Sequence, residues 1–208
     1  MLSYQHDYHA GNHADVLKHV ALTLTIGALQ RKPKPIRVID THAGSGAYDL
    51  TGTLARRHRE YDDGIARVLG AAAPLPPEIA PYVETVRRMN PDGELRRYPG
   101  SPQIARSLLR PQDHLELFEL HPQASRALGE LFKGDRQAHL HRRDAFEGLV
   151  AVLPPPERRG LVLIDPAYET EREFASVLRV LEDAVRRWPG GVYAVWYPLL
   201  EKRGAARF

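Results

Sequence analysis

Five short apolar runs alternate with longer amphipathic segments, and this alternation constrains the fold more than any single motif. Residues 36–41, 115–119, 138–141, 161–165 and 192–197 are rich in Val, Ile, Leu and Tyr and read as strands. Residues 122–132, 144–153 and 171–188 place apolar side chains at three and four spacing and read as helices. A further helix over 13–31 precedes the first strand, with Asn12 placed to cap it and Asp15 three residues on. Strands that alternate with helices predict an α/β fold, a parallel sheet with helices on both faces.

The rhythm breaks once. About seventy residues separate Gly46 from Leu115, where a single helix would suffice. Within that stretch 60–69 and 78–89 read as helices, with Pro74, Pro76 and Pro77 between them and Asn90-Pro91-Asp92-Gly93 closing the second. The expectation is a small helical subdomain at 50–98, inserted into a core formed by 1–49 and 99–208. Seven of its arginines, Arg56, Arg57, Arg59, Arg87, Arg88, Arg96 and Arg97, form either a grip for phosphate backbone or a solvated face.

Length and composition limit the chemistry. With 208 residues, 43% of them apolar, the chain can bury one substantial core. Its net charge of +3 admits an anionic partner without demanding one. No cysteine occurs, so disulfides and thiolate metal sites are excluded, as is attack on a pyrimidine by a cysteine nucleophile. The N-terminal residues lack a basic start followed by an apolar run, and no window approaches the length of a membrane span. A soluble cytoplasmic protein is expected. Ten histidines invite a metal reading, but His6, His9, His13 and His19 follow no ligand spacing such as H-E-x-x-H, and no metal is expected. Tyr4, His6 and Lys18 can instead line a nucleic-acid groove, offering stacking, hydrogen bonds and charge.

Four candidate ligand sites lie at strand ends. After the first strand, Asp40-Thr41-His42-Ala43-Gly44-Ser45-Gly46 forms a glycine turn that lets a ligand approach backbone amides. Asp49 stands where a dinucleotide fingerprint needs its third glycine, which weakens an NAD reading. Glu119 ends the second strand, where an acid can accept both hydroxyls of a ribose. Asp144 follows the third; it can accept from an adenine amino group or simply cap the helix that it opens. Ser101-Pro102 reads as a helix N-cap followed by an N1 proline. At the end of the fourth strand stands Asp165-Pro166-Ala167-Tyr168. Its acid and the next carbonyl can accept from an exocyclic amine, and its exposed aromatic can stack on the base. A plain strand stop is the alternative reading. In an open α/β sheet all these positions converge on one edge.

Taken together, the segment from His9-Ala10-Gly11-Asn12-His13 to Lys18-His19, Asp40-Thr41-His42-Ala43-Gly44, Tyr98-Pro99-Gly100-Ser101-Pro102, Glu119-Leu120-His121-Pro122, Asp165-Pro166-Ala167-Tyr168 and Trp196-Tyr197-Pro198 resemble the RlmJ family of bacterial methyltransferases. The resemblance covers essentially the whole chain. It implies a Rossmann-like sheet with an inserted helical subdomain and methyl transfer from S-adenosyl-L-methionine to the N6 amine of an adenine in 23S ribosomal RNA. It further implies cofactor contacts at His19, His42, Gly44, Gly46, Ser101, Glu119, Asp144, Ala145 and Asp165, with Asp165, Pro166 and Tyr168 catalytic and Tyr4, His6 and Lys18 toward RNA. A monomer acting on protein-free RNA or an early assembly intermediate is expected. Ala167 departs from the usual second proline of D-P-P-Y, a change expected to preserve activity because the Asp165 side chain, the Pro166 carbonyl and the Tyr168 ring are kept. A closing antiparallel strand pair is expected to be missing, because the chain stops at Phe208 just after the fifth strand. DNA adenine-N6 methylation and non-catalytic RNA binding on the same fold are the rival readings.

Overall fold

The protein, a computed structural model, is described over residues 6–198, so Tyr4 and everything past Pro198 lie outside the described residues. In chain order the elements are α1 (His13–Gln30), β1 (Arg37–Asp40), β2 (Ala47–Asp49), α2 (Thr53–His58), α3 (Ile65–Leu69), α4 (Ala80–Arg88), β3 (Arg97–Pro99), α5 (Ser101–Leu108), β4 (His114–Phe118), α6 (Pro122–Leu131), β5 (Ala138–His141), α7 (Ala145–Gly148), β6 (Gly160–Ile164), α8 (Glu171–Arg187) and β7 (Val192–Val195). Short 3-10 turns cover His6–Tyr8, Glu60–Asp63, Pro77–Ile79 and Leu149–Val152.

Five strands pair in parallel in the order β5-β4-β1-β6-β7. Period-two alternation sorts their side chains between two cores. Val38, Leu115, Leu117, Leu161 and Leu163 face Leu22 and Ile26 of α1, Ile104 of α5 and Leu128 of α6. Ile39, Phe118, Val162 and Ile164 face Val177, Val180 and Ala184 of α8 and Leu149 after α7. Strands buried on both faces need continuous apolar runs, which is why 161–164 reads Leu-Val-Leu-Ile. Each such side chain contributes about 1.5–3 kcal/mol on full burial. Asn12 caps α1 as expected, its Oδ1 accepting the Asp15 N–H at 2.9 Å.

The stretch between β1 and β4 is not purely helical. β2 and β3 pair antiparallel, Tyr48 opposite Tyr98, and bring the two ends of the 50–98 segment side by side. Buried side chains of that segment, Leu50, Ile65, Tyr82, Val83 and Val86, join the same cluster as Val38 and Leu22. The helix expected over 60–69 is broken at Gly64, because the Ile65 N–H donates to the Gly11 carbonyl at 2.9 Å. Ser101 is not the N-cap but the first residue of α5. Gly100 takes the cap position, since its carbonyl already accepts the Ile104 N–H. Among the described residues no helix is long and apolar enough to cross a membrane.

Candidate active site

In this strand order the chain moves outward from β1 to β4 and β5, then returns to lay β6 on the other side of β1. The crevice at the carboxyl ends of β1 and β6 is therefore the place where an open α/β sheet takes its ligand. Asp40 ends β1 there, the glycine loop follows it, and Asp165 follows β6.

Asp165 is held by the other end of the chain. Lys18 of α1 places its Nζ 2.6 Å from Asp165 Oδ2 and 3.0 Å from Asp15 Oδ1. Asp15 Oδ2 in turn accepts the Gly11 N–H at 3.0 Å and lies 2.9 Å from His6 Nε2. Burial alone would raise the Asp15 carboxyl, yet His6 and Lys18 beside it hold it well below the usual carboxylate range. Burial likewise works against the Lys18 charge, but Asp15 and Asp165 keep its ammonium well above the ordinary lysine value. Lys18 is thus only 6% exposed and sits between two carboxylates. Removing one partner of such a buried pair costs about 3–5 kcal/mol.

Asp40 is buried beside this network. Its Oδ1 accepts the His42 N–H at 3.2 Å, while Oδ2 has no partner. Burial pushes its pKa up to about 6, against the opposing pull of the nearby Ser101 hydroxyl and the His42 N–H. A second buried polar atom without a partner is His19 Nε2; the other ring nitrogen meets Tyr98 Oη at 2.7 Å, and Tyr98 meets Tyr82 Oη at 3.1 Å. Burial drives His19 down to about 3, so the ring is neutral at pH 7.

Thr41 Oγ1 donates to the Leu163 carbonyl at 2.9 Å and lies 2.7 Å from His42 Nδ1. One hydroxyl has one proton, so His42 Nδ1–H is the donor and Nε2 is left as an acceptor. Burial lowers His42 to about 4. Gly44 and Gly46 take φ of +61° and +76°, and a Cβ on Gly46 would come within 2.7 Å of Leu131 and 2.8 Å of Leu128. Glu119 Oε2 accepts the Gly44 N–H and Oε1 the His121 N–H, both at 2.7 Å, so the loop and the acid after β4 are one unit. Asp144 caps α7, accepting the Phe146 N–H at 2.7 Å, with Ala145 buried behind it.

Tyr168 is half-buried, not exposed. Its hydroxyl donates to the Trp196 carbonyl at 2.8 Å, its ring centroid lies 4.5 Å from that of Phe174, and its φ is +53°. A bulky residue in that region is strained, a condition found where the surroundings fix a functional side chain. Sequence reasoning missed Asp40 as a site residue and read Asp15 only as part of a cap. The i,i+3 spacing of Asp15 and Lys18 was the available signal for the second. Nothing local marked Tyr82 or Phe174, and Tyr98 stood out only within the Tyr98-Pro99-Gly100-Ser101-Pro102 segment.

A parallel sheet in this order, with a glycine loop after its first strand and acids at the ends of its neighbours, defines a Rossmann-like protein with a methyltransferase-type site. The chain belongs to the family described as RsmJ: Ribosomal RNA large subunit methyltransferase D, RlmJ, whose model matches residues 33–208. It is 46% identical over 207 residues to Ribosomal RNA large subunit methyltransferase J of Escherichia coli (strain K12), covering 100% of this chain and 74% of the relative. The Haemophilus influenzae protein of the same name is 44% identical over 208 residues, again with 100% and 74% covered. Among solved structures, the crystal structure of protein LPL1258 from Legionella pneumophila matches with a TM-score of 0.87 at 39% identity, over 93% of this chain and 71% of that one.

Proposed function

We propose that this chain is a methyltransferase that uses S-adenosyl-L-methionine to methylate the N6 amine of an adenine in 23S ribosomal RNA. The observation that carries the reading is the placement of Asp165-Pro166-Ala167-Tyr168 at the carboxyl end of β6, across the crevice from Asp40 and the Gly44–Gly46 turn, in a chain of this family. The residues present fit such a cofactor. The unpartnered Asp40 Oδ2 suits an ammonium, His19 Nε2 and the start of α5 at Ser101 a carboxylate, Glu119 a pair of ribose hydroxyls, and Asp144, Ala145 and His42 the adenosyl end.

When bound, the cofactor supplies an electrophilic methyl group on a sulfonium. The chain supplies position. Lys18 occupies Asp165 Oδ2, leaving Oδ1 to accept one amine N–H while the Pro166 carbonyl accepts the other. Those two bonds favour a pyramidal nitrogen whose lone pair is withdrawn from the ring and aimed for in-line attack. After transfer the methylated nitrogen is strongly acidic and gives its proton to Asp165 or to solvent. Tyr168, fixed by Trp196 and Phe174, offers its ring for stacking, worth on the order of 1–3 kcal/mol. The reading includes a cytoplasmic monomer, with 50–98 as its inserted subdomain and His6, Lys18 and Tyr4 toward the RNA.

Transfer of labelled methyl from S-adenosyl-L-methionine to protein-free 23S ribosomal RNA from cells lacking the enzyme, followed by nucleoside digestion, tests it. N6-methyladenosine is expected. A different methylated nucleoside, or transfer to DNA in preference to RNA, overturns it.

A further inference from the structure

The eight arginines between residues 50 and 98, Arg67 among them at 3.9 Å from Asp63, are not equivalent once folded. Arg59 is paired with Asp62 at 2.7 Å, Arg88 with Glu84 at 3.1 Å, and Arg96 with Asp92 and Glu94 at 3.0 and 2.6 Å. Their charge is spent within the segment. Arg56 and Arg97 share the field of Asp49. Arg57 has no ion pair among the described residues and stands exposed in the last turn of α2.

Arg57 lines a surface groove of about 460 Å³ together with Tyr8, His9, His58 and Glu60. Tyr8 is half-buried and tilts against His58, with ring centroids 5.9 Å apart. The floor is built rigidly. Glu60 Oε1 and Oε2 both lie 3.0 Å from His9 Nδ1, and Oε2 also accepts from Asn12 Nδ2 at 2.9 Å. Asn12 is the cap of α1, in the turn that carries Asp15. Tyr8 is two residues from His6, which binds Asp15, so at most about 7 Å of backbone separates the groove from the network that holds Asp165.

We propose that this groove is a subsite for a nucleotide of the ribosomal RNA other than the target adenine, its phosphate on Arg57 and His58 and its base against Tyr8. The chemistry is that of single-stranded RNA recognition, an aromatic platform beside the unneutralised Arg57 guanidinium and an imidazole. The proposal rests on the reading that this chain acts on ribosomal RNA. It goes beyond that reading by assigning a strand path from the active site onto α2. Glu60 is engaged by His9 and Asn12, and its remaining lone pair is an acceptor for a base amino group.

Filter binding of a labelled 23S ribosomal RNA transcript across a salt series is the test, with transfer assayed separately. The Arg57→Ala/His58→Ala variant is expected to weaken binding about tenfold at 150 mM salt and to flatten the slope of log K against log[salt] by about 1. Tyr8→Ala is expected to weaken binding several-fold with the slope kept, whereas Tyr8→Phe stays near wild type. Arg88→Ala, whose charge is already paired, is expected to leave the slope unchanged. Retained S-adenosyl-L-methionine binding by each variant shows that it is folded. An unchanged slope and affinity in Arg57→Ala/His58→Ala overturns the subsite while leaving methylation intact. A slope that depends on Arg57 in a chain that makes no N6-methyladenosine supports the subsite and overturns the catalytic reading alone.

Discussion

Lys18 and Asp165 are 147 positions apart in the chain and 2.6 Å apart at Nζ and Oδ2. Their contact joins the first helix to the loop after β6, so the carboxylate proposed to face the amine is oriented by a residue from the opposite end of the core. Asp15 on the far side of the same ammonium keeps that lysine charged, and its own charge is in turn kept by His6.

Replacing Asp165 with Asn removes the charge proposed to accept the amine while keeping the size of the side chain. Turnover is expected to fall by about 10²- to 10⁴-fold, with cofactor affinity changed little. Single-turnover methyl transfer alongside calorimetric titration of the cofactor separates the two. Turnover near wild type would remove Asp165 from the reaction.

Acid should weaken the fold through two histidines and not through Asp40. His19 and His42 have folded values of about 3 and about 4, below the unfolded 6.5, so the unfolded chain binds more protons in that window. Their stabilisation is present above pH 6.5 and is lost as pH falls toward 4. Asp40 runs the other way, because its folded value of about 6 exceeds 3.8 and its contribution fades as pH rises from about 4 to 6. Asp40→Asn is therefore expected to be more stable than wild type above pH 6, on the order of 2 kcal/mol, and to match it near pH 4. It is also expected to bind the cofactor more weakly at pH 7. Urea titrations at pH 4, 5, 6 and 7 read the crossing; a constant difference across that range would refute the assignment to Asp40.

Gly46→Ala meets two obstacles, a positive φ and a Cβ within 2.8 Å of Leu128 and Leu131. A loss of about 1–3 kcal/mol in stability is expected, together with weaker cofactor binding as the turn shifts. Equilibrium urea unfolding measures the first, and unaltered stability would mean that α6 yields to the methyl group.

Tyr168→Phe removes one hydrogen bond to the Trp196 carbonyl, worth about 1 kcal/mol, but keeps the ring. Transfer is expected within several-fold of wild type. Tyr168→Ala also loses the stacking surface and is expected to raise the KM for RNA well beyond the Phe variant. Equal losses in the two would show that the hydroxyl, not the ring, matters.

Much of the frame was legible because it rests on local pattern. The apolar run at 161–165 could only be a strand buried on both faces, and acids that follow strands of a parallel sheet must share an edge. The three-residue strands Ala47–Asp49 and Arg97–Pro99 carried no such pattern; they are too short, and Pro99 tolerates pairing only at a sheet margin. The break at Gly64 depends on the Gly11 carbonyl, fifty-three positions earlier. A lysine on a helix carries no local mark of a distant partner, and Lys18 is such a residue. Only the folded chain places Asp15 and Asp165 on either side of it, and only the folded chain buries Tyr168 against Phe174.

The central position of β1 sets a schedule for the growing chain. Val38 and Ile39 are synthesised well before one of their two neighbouring strands, β6, which is encoded roughly 120 residues later. At about 5–20 residues per second the ribosome needs some 6–25 s to supply it. Throughout that interval the middle of the future sheet has an open margin, and the crevice between Asp40 and Asp165 does not exist. The crevice between them thus cannot form before translation has passed Asp165.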